Sequence, residues 1–194
     1  MAESSSNNRL SRRSIVARTD TTLVVPLVAV RAARPADARG IAAIWSFEVR
    51  FTDATTDTEP RGIAAQRAWL AARSDDHPAV VAVRGDEVVG FGALSAYRRK
   101  PAFRHTVEDS VYVKRGVRGQ GVGAAILGRL VELARERGHR SVLARITAGN
   151  AASIRLHERL GFERVGFERQ TAYKLGRWLD VVTMQLMLEP QESA

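Results

Sequence analysis

Three glycines alternate with other residues between positions 119 and 123, in the middle of the chain. They follow an apolar segment that ends at Val113 and precede an amphipathic segment that starts at once. Because glycine permits positive φ and close backbone approach, successive N–H groups here can converge on one point. A helix that begins at this point adds its free N–H groups and its positive dipole end. The cluster therefore predicts a strand–turn–helix unit that binds phosphate, reinforced by Arg115 and Arg118.

Two common nucleotide-binding motifs do not fit this cluster. No Gly-Lys-Ser/Thr follows the glycines, so the ATP- or GTP-binding P-loop is absent. The dinucleotide fingerprint needs a first strand near the start of the domain and an acidic residue about twenty positions further on. Here the cluster lies in mid-domain, and the next strand begins at 141 without an acidic residue. Taken alone, the segment also fits a plain helix entry with permissive glycines.

Apolar periodicity on both sides of the cluster predicts a single mixed α/β domain over 23–194. Residues 1–22 are polar and rich in Ser, Asn and Arg, which is typical of a disordered or loosely ordered arm. Polar, turn-rich composition predicts loops at 51–60 and 97–105. The predicted strands are 27–31, 79–83, 88–94, 106–114, 141–146, 163–169 and 181–188. One predicted helix begins at Pro35 and Asp37, and three more cover 61–73, 123–137 and 151–160.

Composition excludes several classes of protein. The chain of 194 residues has no cysteine, which removes disulfides, thiolate metal sites and a Cys nucleophile. It has no apolar run of about 18 residues, so no transmembrane helix is expected. The net charge of +9 is carried mainly by arginine, and residues 1–40 alone hold seven Arg against three acidic residues. Such a charge favours an anionic ligand without naming it.

Two blocks resemble the GCN5-related N-acetyltransferase (GNAT) family. Arg-Gly-Gln-Gly-Val-Gly at 118–123 matches the family signature Gln/Arg-x-x-Gly-x-Gly/Ala between a strand and a helix. The segment 150–162 runs from Asn-Ala-Ala-Ser to Leu-Gly-Phe, which looks like a second family block. Within the family, 104–113 and 176–181 resemble the phosphinothricin and methionine-sulfoximine acetyltransferases, which acetylate the α-amine of small amino-acid-like substrates. The likeness extends from about residue 28 to residue 188.

The resemblance implies a GNAT-type fold, a central, twisted, mostly antiparallel sheet of about six to seven strands flanked by about four helices. It implies acetyl-CoA as co-substrate and a small-molecule amine as acceptor. Without a Cys nucleophile or a Gly-x-Ser-x-Gly elbow, direct transfer in a ternary complex is favoured. The residues that the resemblance assigns to acetyl-CoA are Val111, Tyr112, Val113, Arg118, Gly119, Gln120, Gly121, Val122, Gly123, Ala124, Asn150 and Ser153.

Acetyl transfer needs a neutral amine, whereas the ammonium group of a free amino acid has a pKa of roughly 9–10. Glu108 stands at the position of the family's catalytic carboxylate and is the candidate base, although it could be an ordinary charged residue at a strand start. The N–H of Val113 is the candidate oxyanion donor. His157 could protonate the leaving thiolate or relay a proton, or it could only pack against the co-substrate.

Substrate-binding residues are predicted in two segments. Tyr97, Arg98 and Arg104 precede the catalytic strand, and an arginine there could clamp an α-carboxylate or could belong to a solvated basic loop. Phe51 and Thr52 follow the first helix and could wall a side-chain pocket, by resemblance to the family.

Other functions remain as alternatives. The nearest is a protein N-terminal acetyltransferase, and a non-catalytic acetyl-CoA sensor is a non-enzymatic one. A nucleic-acid partner is not favoured, because RNP, zinc-finger and basic-zipper signatures are missing. The histidines at 77, 105 and 139 lack metal-ligand spacing, so no metal is expected. We expect no membrane partner, a cytoplasmic location and a homodimer, the last from the resemblance only.

Overall fold

A seven-stranded sheet forms the centre of the protein. The computed structural model describes residues 28–189; the predicted arm 1–22, and the first and last few residues of the predicted domain, lie outside this range. The strand order is β1-β2-β3-β4-β5-β7-β6, and every neighbouring pair is antiparallel except β4 and β5. The strands are β1 (Ala29–Ala32), β2 (Ala79–Arg84), β3 (Glu87–Ala96), β4 (Thr106–Val113), β5 (Ser141–Thr147), β6 (Glu163–Lys174) and β7 (Arg177–Met187).

Two helices cover each face of the sheet. On one face, α1 and α2 bury apolar residues such as Ile41 and Leu70 against β2 and β3. On the other face, α3 packs Ile126 and Leu130 into a second core with the middle strands, and α4 adds Ile154. The mixed sheet and four helices confirm the predicted fold class. The helices are α1 (Ala38–Phe51), α2 (Ile63–Ala71), α3 (Val122–Glu136) and α4 (Ala151–Arg159).

The two parallel strands separate after a short contact. β4 and β5 share three residue pairs, of which the last joins Glu108 to Leu143. Beyond this pair, β4 remains bonded to β3, and β5 remains bonded to β7. A wedge-shaped gap therefore opens in the middle of the sheet, between 109–113 and 144–147.

The ladder along β4 determines where its backbone groups point. Lys114 N–H donates to the Val89 carbonyl at 2.9 Å, which identifies the even-numbered residues as the ones bonded to β3. His105 lies on the opposite side, because its carbonyl accepts the Arg140 N–H at 2.8 Å at the start of β5. Bonding alternates along an antiparallel ladder, so the N–H and C=O groups of residues 109, 111 and 113 face the gap.

The last two strands differ from their prediction. β6 and β7 continue into 170–180, for which the sequence predicted no strand, and meet at a two-residue turn. Leu175 and Gly176 both have positive φ, 51° and 76°, as a tight hairpin turn requires. Phe51 also differs, since it is the last residue of α1 and does not belong to the following loop.

Candidate active site

Two connected cavities lie along the gap between β4 and β5. The glycine cleft, about 540 Å³, runs from β4 past the glycine cluster to α4, and the inner cavity, about 480 Å³, lies deeper in the sheet. They share Ala54, Val111, Tyr112, Asn150 and Ser153. The glycine cleft is also lined by Thr52, Val113, Arg118, Gly119, Gly121, Gly123 and Ala124, and the inner cavity by Trp45, Asp57, Arg61, Trp69, Phe91, Glu108, Asp109, Arg145 and His157.

Glycine is required at two kinds of position in the cleft. Gly119 and Gly121 have φ of 76° and 81°, which L side chains rarely adopt. Gly123 permits close packing of α3 on α4, because a Cβ there would lie 3.1 Å from a Leu156 methyl group. Gly121 caps α3 without any side-chain hydrogen bond, so no side chain caps the amides of its first turn. The predicted phosphate cradle thus has its donors available.

The open edge of β4 forms the second wall of the cleft. The Val111 N–H and C=O and the Val113 N–H point into the gap, where none of the described strands pairs with them. At the far side, the Asn150 side chain accepts the Ser153 N–H at 3.1 Å and caps the N-terminus of α4. A long ligand with amides at one end and phosphates at the other fits this arrangement.

Two predicted cofactor residues have their side chains engaged elsewhere. Arg118 forms an ion pair with the buried Glu48 and donates through Nε to the Val113 carbonyl at 3.1 Å. Its guanidinium therefore ties β4 to α1 and has two of its five N–H donors engaged. The exposed Gln120 accepts a hydrogen bond from Arg84 at 2.8 Å and does not line the cleft with its side chain.

Glu108 lies in the inner cavity, on the face of β4 that it shares with Tyr112. Burial raises the pKa of the Glu108 carboxyl above its usual value, and the charges of Asp109 and Glu168 act in the same direction. Arg145, one strand away on β5, opposes them. A carboxylate with a raised pKa is a stronger base, so the position suits removal of a proton from an ammonium group.

His157 and Asp109 form a buried pair at the floor of the inner cavity. The Nε2 atom of His157 lies 3.0 Å from Asp109 Oδ2, and Nδ1 lies 2.8 Å from the Ser153 carbonyl oxygen. A carbonyl only accepts, so Nδ1 carries a proton. The pKa of His157 is raised above its usual value, because the Asp109 carboxylate outweighs burial.

This geometry does not form a nucleophilic triad. The Ser153 hydroxyl is 3.5 Å from His157 Nδ1, which instead donates to the carbonyl of the same serine. Both imidazole nitrogens are engaged, so His157 offers no free lone pair to a hydroxyl. Sequence reasoning missed Asp109, because the partner of its carboxylate is 48 residues away in the chain.

The predicted substrate residues lie outside the inner cavity. Phe51 is 66% exposed and packs on Phe47, with ring centroids 5.3 Å apart. Thr52 lines the glycine cleft, where its hydroxyl donates to the Glu48 carboxylate at 2.8 Å. Neither residue walls the cavity that holds Glu108.

The basic loop before β4 is also set apart. Arg98 stacks over the rings of Tyr97 and Phe103, at 5.0 and 5.6 Å, and bonds to the Tyr97 hydroxyl. Arg104 is exposed. None of the three predicted residues in this loop lines either cavity.

Lys174 secures the loop beside the inner cavity. Its ammonium group is buried and donates to the Thr55 carbonyl at 2.6 Å, across 119 residues of sequence. Burial lowers the pKa of Lys174, and the nearby carboxylates oppose that shift. No role for Lys174 follows from the sequence, because the Thr55 carbonyl that it contacts is distant in the chain.

Comparison with known proteins agrees with this geometry. The model of the "Acetyltransferase (GNAT) family" matches residues 33–162. The chain belongs to this family. A methionine sulfoximine/methionine sulfone acetyltransferase of Pseudomonas paraeruginosa is 44% identical over 167 residues, which cover 85% of this chain and 97% of the relative. The protein is thus a GNAT N-acetyltransferase.

Two solved structures share the fold of this GNAT protein. A phosphinothricin acetyltransferase from Sinorhizobium meliloti, solved with acetyl-CoA, superposes with a TM-score of 0.80 at 35% identity and covers 85% of this chain and 94% of its own. A ribosomal-protein-alanine N-acetyltransferase from Brucella melitensis gives 0.80 at 40% identity, with 82% and 99% covered.

The residues of this GNAT chain fit acetyl-CoA. The cleft offers free amides at the start of α3 and an unpaired strand edge, which suit a pyrophosphate and an amide-bearing arm. Within 28–189 no cluster of three or more metal-binding side chains occurs. In the same range, the helices are too short or too polar to span a membrane.

Proposed function

We propose that this GNAT protein acetylates the α-amine of a small amino-acid-like substrate such as methionine sulfoximine, methionine sulfone or phosphinothricin. The observation that carries the proposal is the inner cavity, where a carboxyl group with a raised pKa lies beside the open edge of β4. The names of the Pseudomonas and Sinorhizobium relatives support the substrate class.

The proposed mechanism uses one base and one oxyanion donor. Acetyl-CoA, when bound, supplies a reactive thioester. Glu108 accepts a proton from the substrate ammonium group in the inner cavity, and the unpaired N–H of Val113 donates to an oxyanion. We propose that acetyl-CoA is held by the residues named above from the resemblance, with Arg118 and Gln120 acting through their backbone and not their side chains.

His157 has a different place in this mechanism. Its two nitrogens are held by Asp109 and Ser153, so it presents no free N–H to the glycine cleft. We propose that it acts as a fixed member of the buried pair. A proton for the thiolate then comes from solvent, which a leaving group with a pKa near 8.5 permits.

The test is a thiol-release assay with acetyl-CoA and each of the three amino acids. We expect turnover with at least one of them, and a fall in kcat of about 10²- to 10⁴-fold in Glu108→Gln. Calorimetry should find that acetyl-CoA binding changes by less than about twofold, since Glu108 lies outside the glycine cleft. Unchanged turnover in the variant would remove Glu108 from the mechanism, and binding without turnover in the wild type would favour a sensor.

Acetylation of a protein N-terminus is the second candidate. The similarity to the Brucella ribosomal-protein-alanine acetyltransferase supports it. Peptides that begin with alanine, added to the same assay, distinguish the two functions. If kcat/KM for such a peptide exceeds that for all three amino acids, acetylation of a protein N-terminus becomes the favoured function.

The remaining expectations concern the whole protein. We propose a homodimer, because Phe167, Tyr173 and Trp178 leave 58%, 58% and 59% of their surface exposed on β6 and β7.

We also propose a cytoplasmic location, where acetyl-CoA is made and used. We propose a role in detoxification, because acetylation removes the basicity of an amino-acid analogue. Cell fractionation with an antibody tests the location.

A further inference from the structure

The inner cavity contains an aromatic wall that the mechanism above does not use. Tyr112 packs between Trp45 and Phe91, with both ring-centroid distances 5.1 Å. Trp69 continues the wall, with its ring 6.4 Å from that of Phe91. Trp45 and Phe91 are buried. The wall is therefore rigid, and it lies in the same cavity as Glu108.

A guanidinium group is placed against this wall. The Cζ atom of Arg61 lies 4.5 Å from the ring centroid of Trp45 and 5.8 Å from that of Trp69. Stacking on indole rings fixes the plane of a guanidinium while leaving its N–H groups at the edges free. Arg61 lies two residues before the start of α2 and lines the inner cavity.

The donors of Arg61 are unused within residues 28–189. Its nearest carboxylate, Asp57, lies 3.9 Å away, which exceeds hydrogen-bonding distance, and no hydrogen bond from the Arg61 guanidinium is present in this range. Arg145, the other arginine that lines the cavity, donates to Glu168 at 3.0 Å. The indole rings therefore fix the orientation of the Arg61 guanidinium, and its N–H donors remain available to a ligand in this cavity.

We infer that Arg61 binds an anionic oxygen group of the substrate and thereby selects amino acids over simple amines. This inference rests on the proposed function. Glu108 would take the ammonium group of the substrate, Arg61 would form a two-point contact with a carboxylate or phosphinate, and the aromatic wall would contact the apolar part of the substrate side chain. Both groups are offered by phosphinothricin, whereas methionine sulfone offers only its α-carboxylate.

The experiment compares Arg61→Gln with the wild type on methionine sulfone, its carboxamide and phosphinothricin. If Arg61 binds the α-carboxylate, KM should rise about 10- to 100-fold for both amino acids and less than about twofold for the amide. If it binds the side-chain phosphinate, KM should rise for phosphinothricin alone. An equal change for all three compounds, or a change below twofold for each, would overturn the inference.

Controls separate this result from misfolding and from failure of the proposed function. Arg67→Gln removes the same charge from an exposed position on α2 and should leave every KM unchanged. Arg61→Lys keeps the charge but loses the two-point geometry, so it should recover only part of the affinity. Titration of Trp fluorescence with each compound reports binding without turnover. Tight binding to wild type but not to Arg61→Gln would support Arg61 even if no acetyl transfer occurred.

Discussion

At the scale of single residues, Glu108 shows how neighbours set the strength of a base. Burial raises the pKa of its carboxyl group, while the Arg145 guanidinium lowers it. Activity needs the deprotonated carboxylate, so kcat/KM should fall as pH decreases through this raised pKa. A surface glutamate would give the same decline at lower pH.

Arg145→Gln tests this balance of charges. Removal of the positive charge should raise the pKa of Glu108 further and shift the acid limb of the kcat/KM profile to higher pH. Arg169→Gln, an exposed arginine on β6, is the matched control and should leave the limb in place. A limb that is unmoved in Arg145→Gln would show that another group titrates there.

Gly121 is a second residue with a decisive conformation. Its φ of 81° is strained for alanine, at a cost of about 1–2 kcal/mol, although a Cβ would meet no atom within 4 Å. Gly121→Ala should therefore lower the free energy of unfolding and weaken acetyl-CoA binding together. Gly128→Ala, inside α3 with equally free space, should instead stabilise by about 0.5–1 kcal/mol. Urea unfolding and calorimetry measure both effects, and equal behaviour of the two variants would contradict this account.

At the scale of elements, the His157–Asp109 pair joins α4 to β4 where β4 leaves β5. Removal of one partner leaves an uncompensated buried group, so Asp109→Asn should destabilise by about 3–5 kcal/mol. Glu158→Gln breaks the exposed pair with Arg164 and should cost less than about 1 kcal/mol. Similar urea midpoints for the two variants would show that the buried pair does not hold these elements together.

The same pair predicts a dependence on pH. The pKa of His157 is raised in the folded protein, so its stabilising contribution is complete below the unfolded pKa of about 6.5 and disappears as pH rises through the folded value. The charged group that faces it is Asp109, and Ser153 contributes only a carbonyl. Wild-type stability should therefore decline as pH rises from about 6.5 through the raised pKa of His157, more steeply than that of Asp109→Asn.

Sequence patterns predicted the elements that have one buried face. The amphipathic segment that follows the glycine cluster predicted a helix over 123–137, and α3 agrees with it to within one residue at each end. β6 is exposed on most of its length, so no apolar alternation marked its second half. Asp109 is paired with His157 of α4, and Arg61 stacks on Trp45 of α1. The fold brings these partners together, and hydrophobic periodicity along the sequence contains no information on such pairs.

At the scale of the whole molecule, the apolar side chains on the outer strands are the feature that bears on assembly. Tyr173 and Trp178 face each other across β6 and β7, with ring centroids 5.2 Å apart, and both are exposed. Trp178→Glu should convert the proposed dimer to a monomer of 21.3 kDa in light scattering. Arg169→Glu on the same hairpin is the control. A wild-type protein that is already monomeric would disprove the dimer.

The gap between β4 and β5 also determines what kind of molecule this sheet can admit. A sheet ordinarily has two exposed edges, and the gap adds an open edge along β4 and another along β5 in the interior of this one. The gap is walled by α4 and by the loop that Lys174 secures. An exposed edge usually recruits another polypeptide strand. Here the open edge of β4 lies inside the glycine cleft, so its N–H and C=O groups can extend the ladder only with a ligand that enters that cleft. A linear ligand with amides of its own would then act as an additional strand of the sheet.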